Sequence, residues 1–185
     1  MKTPVPPTPE EIERLCQLAT VGAGLAATAL GQLLESHVHA RAPRVCDVDA
    51  AVDPDEWCTG ILFEAEEDLT GFVAIVMPEV ARDRAAELMI GIADPAVELA
   101  ESALRELGNI LASQTVSAIA DTLDATILLS VPTLALRDAG MVLRSLICQR
   151  GAQLRIETEL CAPDGSLVAL LVFAPDPEKA SDSPA

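Results

Sequence analysis

The chain has 185 residues, of which half are hydrophobic and only 2% aromatic, and its formal net charge is −17. This length and composition predict a folded protein with one aliphatic core, or two halves that share one. The negative charge argues against nucleic acid and anionic membrane surfaces as partners, because their phosphates need clustered Lys and Arg.

The cysteines indicate a reducing compartment. Their number is odd and none forms a CxxC pair, which argues against a disulfide framework and a zinc knuckle. We expect reduced, mostly buried thiols in a cytoplasmic protein. The residues are Cys16, Cys46, Cys58, Cys148 and Cys161.

The first predicted element is a long helix. The proline-rich segment 1–10 is expected to be extended until Thr8 or Pro9 starts this helix. Residues 15–34 carry no charge over twenty positions, a length that could cross a bilayer. They also include three glycines, two glutamines and two threonines. We therefore expect a helix buried in a globular protein, with no membrane insertion.

Shorter elements follow in chain order. A strand near Val38 ends or bends at Pro43. The β-rich runs 60–66 and 70–77 flank a short acidic turn, which is typical of a hairpin. Residues 78–91 indicate a helix that Gly91 ends, and the next helix is expected to begin near Asp94 and Pro95, where Asp can cap and Pro can occupy the first turn.

The second half repeats the first at a shift of 89 residues, which places Leu15 on Leu104 and Pro43 on Pro132. A second hairpin is predicted at 153–161 and 167–174, around a Pro-Asp-Gly turn. The chain therefore predicts one α+β domain over 1–185, with two helix–strand–hairpin halves related by a pseudo-twofold axis. The halves span about 9–92 and 94–176, and 177–185 is expected to be a flexible tail. One largely antiparallel sheet is covered on one face by the two long helices.

The second long helix has two contrasting sides. Leucines at 104, 107 and 111 lie on one side at helical spacing. The opposite side carries Ser102, Glu106, Asn109 and Ser113. An ordinary solvated helix face explains most such pairs. A carboxylate can also anchor a partner's Lys, and a carboxamide can orient a water for attack on a phosphoryl group, as glutamine does in GTPases.

The spacing of Ser102, Glu106, Asn109 and Pro132 fits the pattern Asp/Ser-x3-Glu-x2-Asn-x22-Pro. This pattern resembles the signature of the CheC/CheX/FliY family of chemotaxis phosphatases. The stretches ELGNILAS and SVPTLAL look like the second half of CheC, and VGAGLAATALGQLL looks like its first half. The resemblance covers about residues 10–178.

The resemblance implies a hydrolase that removes phosphate from the aspartyl-phosphate of a CheY-type response regulator in two-component signalling. Glu106 would pair with the regulator's Lys, and Asn109 would orient the attacking water. Ser102, Ser113 and Pro132 would contact the partner. The phosphatase would need no metal or cofactor of its own, because the regulator supplies Mg²⁺.

The first half departs from this pattern. Its helix carries Gln17 and Thr20 where the second carries Glu106 and Asn109. We predict one active site, in the second half, and a degenerate site at Gln17 and Thr20. A lesser alternative is that Gln17 orients water by itself.

Three alternative functions are considered. The chain could instead be a non-catalytic binding module for the phosphorylated regulator or for CheD, or a CheX-like phosphatase. A FliM-type switch component is less expected, because the sequence shows neither a FliM-like regulator-binding N-terminal segment nor a C-terminal rotor domain. The amphipathic stretch 137–151 resembles the region of CheC that contacts CheD. His37 and His39 fall on one face of a strand, but no third ligand stands at a recognisable spacing, so we predict exposed histidines and no metal site.

Overall fold

The computed structural model describes residues 8–50, 52–53 and 55–177. Its elements form an α+β domain, as predicted. The helices are α1 (Pro9–Leu33), α2 (Glu79–Ile90), α3 (Val97–Leu123) and α4 (Ala139–Gln149). The strands are β1 (His39–Ala40), β2 (Arg44–Asp47), β3 (Thr59–Glu67), β4 (Gly71–Met77), β5 (Ile127–Leu129), β6 (Thr133–Ala135), β7 (Leu154–Cys161) and β8 (Leu167–Pro175).

The strands form one sheet in the order β1-β7-β8-β4-β3-β5, with β2 also paired to β7 and β6 also paired to β3. Every pairing is antiparallel. The short strands on either side of the proline in each half pair with the hairpin of the other half. Strands β1 and β2 pair with β7, and strands β5 and β6 pair with β3. The two halves therefore share one sheet, as the repeat predicted.

The start of α1 follows from a capping box at Thr8. The Glu11 backbone N–H donates to the Thr8 hydroxyl at 3.2 Å, and the Thr8 N–H donates to the Glu11 carboxylate at 2.6 Å. Within the described ranges, no helix has both the length and the apolar character needed to cross a bilayer. One side of α1 is instead buried in the core, with Leu18 and Leu30 at 5% and 0% exposure.

The predicted start of α3 was wrong by two to three residues. The helix begins at Val97, after Ala96, which makes no side-chain cap. Asp94 adopts a left-handed conformation with φ 49°. Its N–H donates to Glu87 Oε1 at 3.3 Å, so Asp94 belongs to the connection between the two helices. The end of α2 at Gly91, with φ 76°, is as predicted.

Both faces of the sheet are covered. Helices α1 and α3 pack on each other and on one face, as expected. On the other face, α4 and the described residues of the connection 48–58, which are 48–50, 52–53 and 55–58, cover a second core cluster that includes Trp57, Leu143 and Ile147. The repeat aligns this connection with α4, so the first half has turns in these described residues where the second half has a helix.

The thiols differ from the prediction in their burial. All five cysteines are free, but only Cys161 is buried and Cys148 is exposed. The other three are half-buried. The expectation of mostly buried thiols was therefore wrong, because these residues lie at the margins of the two core clusters.

Candidate functional site

The two sides of α3 lie as the sequence predicted. Leu104, Leu107 and Leu111 are at most 1% exposed against the sheet. The residues on the opposite side are all exposed: Ser102, Glu106, Asn109 and Ser113. Glu106 and Asn109 are three residues apart, about one helical turn, so their carboxylate and carboxamide are neighbours on the outer surface of α3.

Gly108 stands between these two residues and holds the helix close to the sheet. A Cβ at this position would overlap the side chain of Ile61 on β3. Because Gly108 has no side chain, the backbone that carries Glu106 and Asn109 rests directly on the buried strand. The pair is therefore built on a rigid element, which favours a fixed geometry.

The charged side chains next to Glu106 and Asn109 on α3 form an ion pair with each other. Arg105 donates to Glu101 at 3.2 Å, an ion pair one turn towards the N-terminus. Within the described residues, neither Glu106 nor Asn109 has a hydrogen-bond or ion-pair partner. Both groups are therefore available to a second molecule.

Pro132 lies on a different element, at the corner between β5 and β6. This corner is fixed by Ser130, whose N–H donates to the Glu64 carbonyl and whose hydroxyl accepts from the Glu64 N–H, each at 2.9 Å. Strand β6, which follows Pro132, pairs with β3 at Leu134↔Ile61, and Ile61 is also the residue against which Gly108 packs, so β3 links this corner to α3. Val131, which sequence reasoning passed over, is 87% exposed beside Pro132.

The matching position on α1 has a different chemistry. Gln17 and Thr20 are exposed, as their counterparts on α3 are. The Thr20 hydroxyl donates to the Cys16 carbonyl at 2.8 Å, so its donor is used within its own helix. The two equivalent positions therefore offer a partner a neutral carboxamide and no carboxylate. The nearest carboxylate on this side is exposed Glu13, one turn before Gln17, at the repeat position of Ser102.

The histidine pair does not form a cluster of ligands. The rings of His37 and His39 are 6.5 Å apart, and both residues are exposed. Across the described part of the chain, no group of three or more His, Cys, Asp or Glu side chains could hold a metal ion.

Residues 99–136, which contain Ser102, Glu106, Asn109 and Pro132, match the CheC-like family. The CheY-P phosphatase CheC of Bacillus subtilis (strain 168) is 32% identical over 146 residues, which cover 72% of this chain and 70% of the relative. The chain belongs to the CheC-like family. The four residues with the signature spacing thus lie inside the segment that matches the family.

Several solved structures share this fold. Thermotoga maritima FliY superimposes with a TM-score of 0.71 at 18% identity, over 97% of this chain and 98% of FliY. CheX in the CheX–CheY–BeF3–Mg²⁺ complex of Borrelia burgdorferi gives 0.61 at 14% identity, over 83% of this chain and 94% of that one. The FliM middle domain of H. pylori gives 0.61 at 10% identity, over 94% and 98%. At such identities the likeness establishes the fold alone.

Proposed function

We propose that this CheC-like protein dephosphorylates the aspartyl-phosphate of a CheY-type response regulator, with one site on α3. The observation that carries the proposal is the exposed and unpartnered pair of Glu106 and Asn109 on a helix fixed to the sheet by Gly108. Supporting it, the relative from Bacillus subtilis is a CheY-P phosphatase, and a structural relative occurs in a complex with CheY.

In this proposal the two side chains have separate tasks. The Glu106 carboxylate forms an ion pair with a lysine of the regulator and holds the two proteins in register. The Asn109 carboxamide enters the regulator's site and orients the water that attacks phosphorus, since an amide both donates and accepts hydrogen bonds. Ser102, Ser113 and Pro132 border the contact.

Chemistry beyond positioning belongs to the regulator. Asn109 has no nucleophilic atom, and the protein brings no metal or cofactor of its own in this proposal. The regulator provides the phosphorylated aspartate and the Mg²⁺ that neutralises its phosphoryl oxygens. The contribution of α3 is pre-organisation, which can supply much of the rate enhancement in phosphoryl transfer.

The surface around Gln17 and Thr20 is expected to be silent. Gln17 has no charge to hold a lysine, and the Thr20 hydroxyl is engaged with Cys16. Thr20 also has a shorter side chain than Asn109, so it reaches less far into a partner.

The deciding experiment follows loss of phosphate from a labelled cognate regulator with purified protein. Asn109→Ala should slow the reaction on the order of 10²-fold, the usual effect of losing one positioned hydrogen-bonding group. Its matched control is Gln17→Ala with Thr20→Ala, at the equivalent positions of α1, which should leave the rate nearly unchanged. If the control variant loses activity instead, the active site is on the first helix.

A binding measurement separates catalysis from simple capture of the regulator. Asn109→Ala should keep its affinity for the regulator carrying a phosphoryl mimic, because Glu106 still anchors the lysine. Glu106→Gln should weaken binding by roughly 10-fold or more, since a charged partner is left unmatched. If the wild type binds the phosphorylated regulator without accelerating hydrolysis, the protein is a binding module.

A further inference from the structure

The outer side of α1 is a neutral surface on a strongly acidic chain. Between residues 17 and 32, every exposed residue of the helix is uncharged: Gln17, Thr20, Val21, Gly24, Leu25, Thr28 and Gln32. Val21 and Leu25 are 44% and 45% exposed and lie one turn apart, so their apolar surfaces adjoin. We call the set Gln17, Val21, Gly24, Leu25, Thr28 and Gln32 the neutral strip.

Hydrogen bonding within α1 makes this side more apolar than its composition indicates. Thr20 donates to the Cys16 carbonyl at 2.8 Å, and Thr28 donates to the Gly24 carbonyl at 3.0 Å. Neither hydroxyl therefore needs an acceptor on a partner. At Gly24 a Cβ would meet no atom within 4 Å, so the helix surface has a hollow there.

The neutral strip is complementary to itself. Its positions are symmetric about the point between Gly24 and Leu25, because Val21 and Thr28 are equally distant from it, as are Gln17 and Gln32. If two such helices pack antiparallel about a twofold axis at this point, Leu25 covers Gly24 of the second copy. Val21 then meets Thr28, and Gln17 meets Gln32, whose amides can donate to and accept from each other.

We propose that this face joins two copies of the chain in a twofold dimer through α1. A second copy is the occupant because an isologous contact requires a self-complementary patch, which the neutral strip provides. Charge favours the same choice, since two chains of net charge −17 repel each other and an uncharged face lets them approach at lowest cost.

The equivalent side of α3 cannot make this contact. At the repeat positions of Gly24, Leu25, Thr28 and Gln32, α3 carries Ser113, Gln114, Ser117 and Asp121. It therefore has polar residues in place of Leu25 and the glycine hollow, and a twofold contact would bring Asp121 into the interface. Only Val21 has an aliphatic counterpart, Ile110, which is half-buried. The first half thus has a surface for self-association where the second has the site around Glu106 and Asn109.

The size of the face predicts a weak dimer. Sixteen helical residues extend about 24 Å and present a strip about 10 Å wide. The two strips together then bury on the order of 500 Å², well below the size of a stable specific interface, so the contact is a weak and transient one. We expect a dissociation constant on the order of hundreds of micromolar, with tighter association at high salt because salt screens the repulsion between the chains.

Sedimentation equilibrium of the full chain from about 1 to 500 µM tests the proposal without reference to phosphatase activity. Leu25→Glu should raise the dissociation constant at least about 10-fold, because it buries a carboxylate at the centre of the interface. Val80→Glu is the matched control, since Val80 is 82% exposed on α2 and the variant adds the same charge away from the strip. Circular dichroism verifies that both variants are folded.

A pair of double variants tests the register. Gln17→Glu with Gln32→Lys places opposite charges face to face twice and should associate at least as tightly as the wild type. Gln17→Glu with Gln32→Glu places like charges there and should associate roughly 10-fold more weakly. Gln114→Glu with Gln149→Glu carries the same total charge at exposed positions off the strip and should be less affected.

Three results overturn the proposal. The first is a chain that stays monomeric to about 500 µM in 0.5 M salt. The second is a Leu25→Glu variant that self-associates like the wild type, or double variants that do not differ. The third is a Leu25→Glu variant that loses binding to the regulator while its self-association is unchanged, because the face then belongs to a different partner.

Discussion

Gly108 of α3 lies against Ile61 of β3 so closely that a Cβ at position 108 would overlap the isoleucine side chain. This contact lies between Glu106 and Asn109 and sets the height of both above the sheet. We predict that Gly108→Ala lowers the free energy of unfolding by about 2 kcal/mol, because interiors are close-packed and an added methyl forces a shift. Urea denaturation measures the change.

The same variant should also reduce phosphatase activity, since the displaced helix carries Asn109 out of position. The matched control is Gly24→Ala on α1, where the added Cβ meets no atom within 4 Å. Alanine is a better helix former than glycine, so this control should gain roughly 0.5–1 kcal/mol of stability. A Gly108→Ala variant as stable and active as the wild type would contradict the role assigned to the contact.

The repeat allows a second site to be built on α1. Gln17→Glu with Thr20→Asn gives the first helix the carboxylate and carboxamide of the second, at exposed positions with the same spacing. We predict up to about twofold faster turnover per chain, measured at about 1 µM protein, because two sites then position water. The double variant should also restore activity to Asn109→Ala, whereas Gln17→Glu alone should not. No rescue would mean that the pair requires more of the α3 surroundings than the repeat retains.

Local signals in the sequence predicted most of the architecture. The helix start at Thr8 or Pro9, the glycine stop at Gly91 and the two hairpins depend on signals within a few residues, and the structure confirms each of them. The start of α3 was misplaced because Asp94 resembles a helix cap by residue type. The structure uses its backbone N–H to bond Glu87 instead.

Contacts between distant segments could not be predicted. Helical spacing and the signature pattern predicted the site at Glu106 and Asn109, but the support of Gly108 by Ile61 depends on packing across the core. The cover on the second face of the sheet was also missed. Arg155 and Glu157 alternate with apolar residues along β7, which is typical of a strand with one solvated face, yet they are only 3% and 6% exposed beneath the connection 48–58.

Thiol burial predicts a graded reaction with iodoacetamide. Burial raises the pKa of the Cys16, Cys46 and Cys161 thiols, and the Glu157 carboxylate raises that of Cys46 further. Because the thiolate is the reactive form, a raised pKa lowers the reactive fraction at pH 8 and moves the rise in rate to higher pH. Exposed Cys148 should react first. Peptide mass spectrometry from pH 7 to 9.5 measures each site, and faster labelling of Cys161 than of Cys148 would contradict this order.

Arg155 holds the connection that covers the second face. Its guanidinium donates to the carbonyls of Asp47, Val48 and Ala50 at 2.9, 2.9 and 3.1 Å, and to the Glu157 carboxylate at 2.7 Å. It also lies over the Trp57 ring, 5.3 Å from the centroid. All of these partners lose a buried donor or cation if the guanidinium is removed.

We predict that Arg155→Met lowers the free energy of unfolding by about 3–5 kcal/mol, because it leaves buried carbonyls unsatisfied and leaves the Glu157 carboxylate with only the longer contact to Arg44, at 3.4 Å. The control is Arg144→Met, which breaks an exposed ion pair with Asp49 at 2.8 Å and should cost less than about 1 kcal/mol. Urea denaturation compares the two. Adding Glu157→Gln to Arg155→Met should recover part of the loss, since the weakly paired charge is then removed. Equal effects of the two single variants would mean that the hydrogen bonds of Arg155 contribute little to holding the connection.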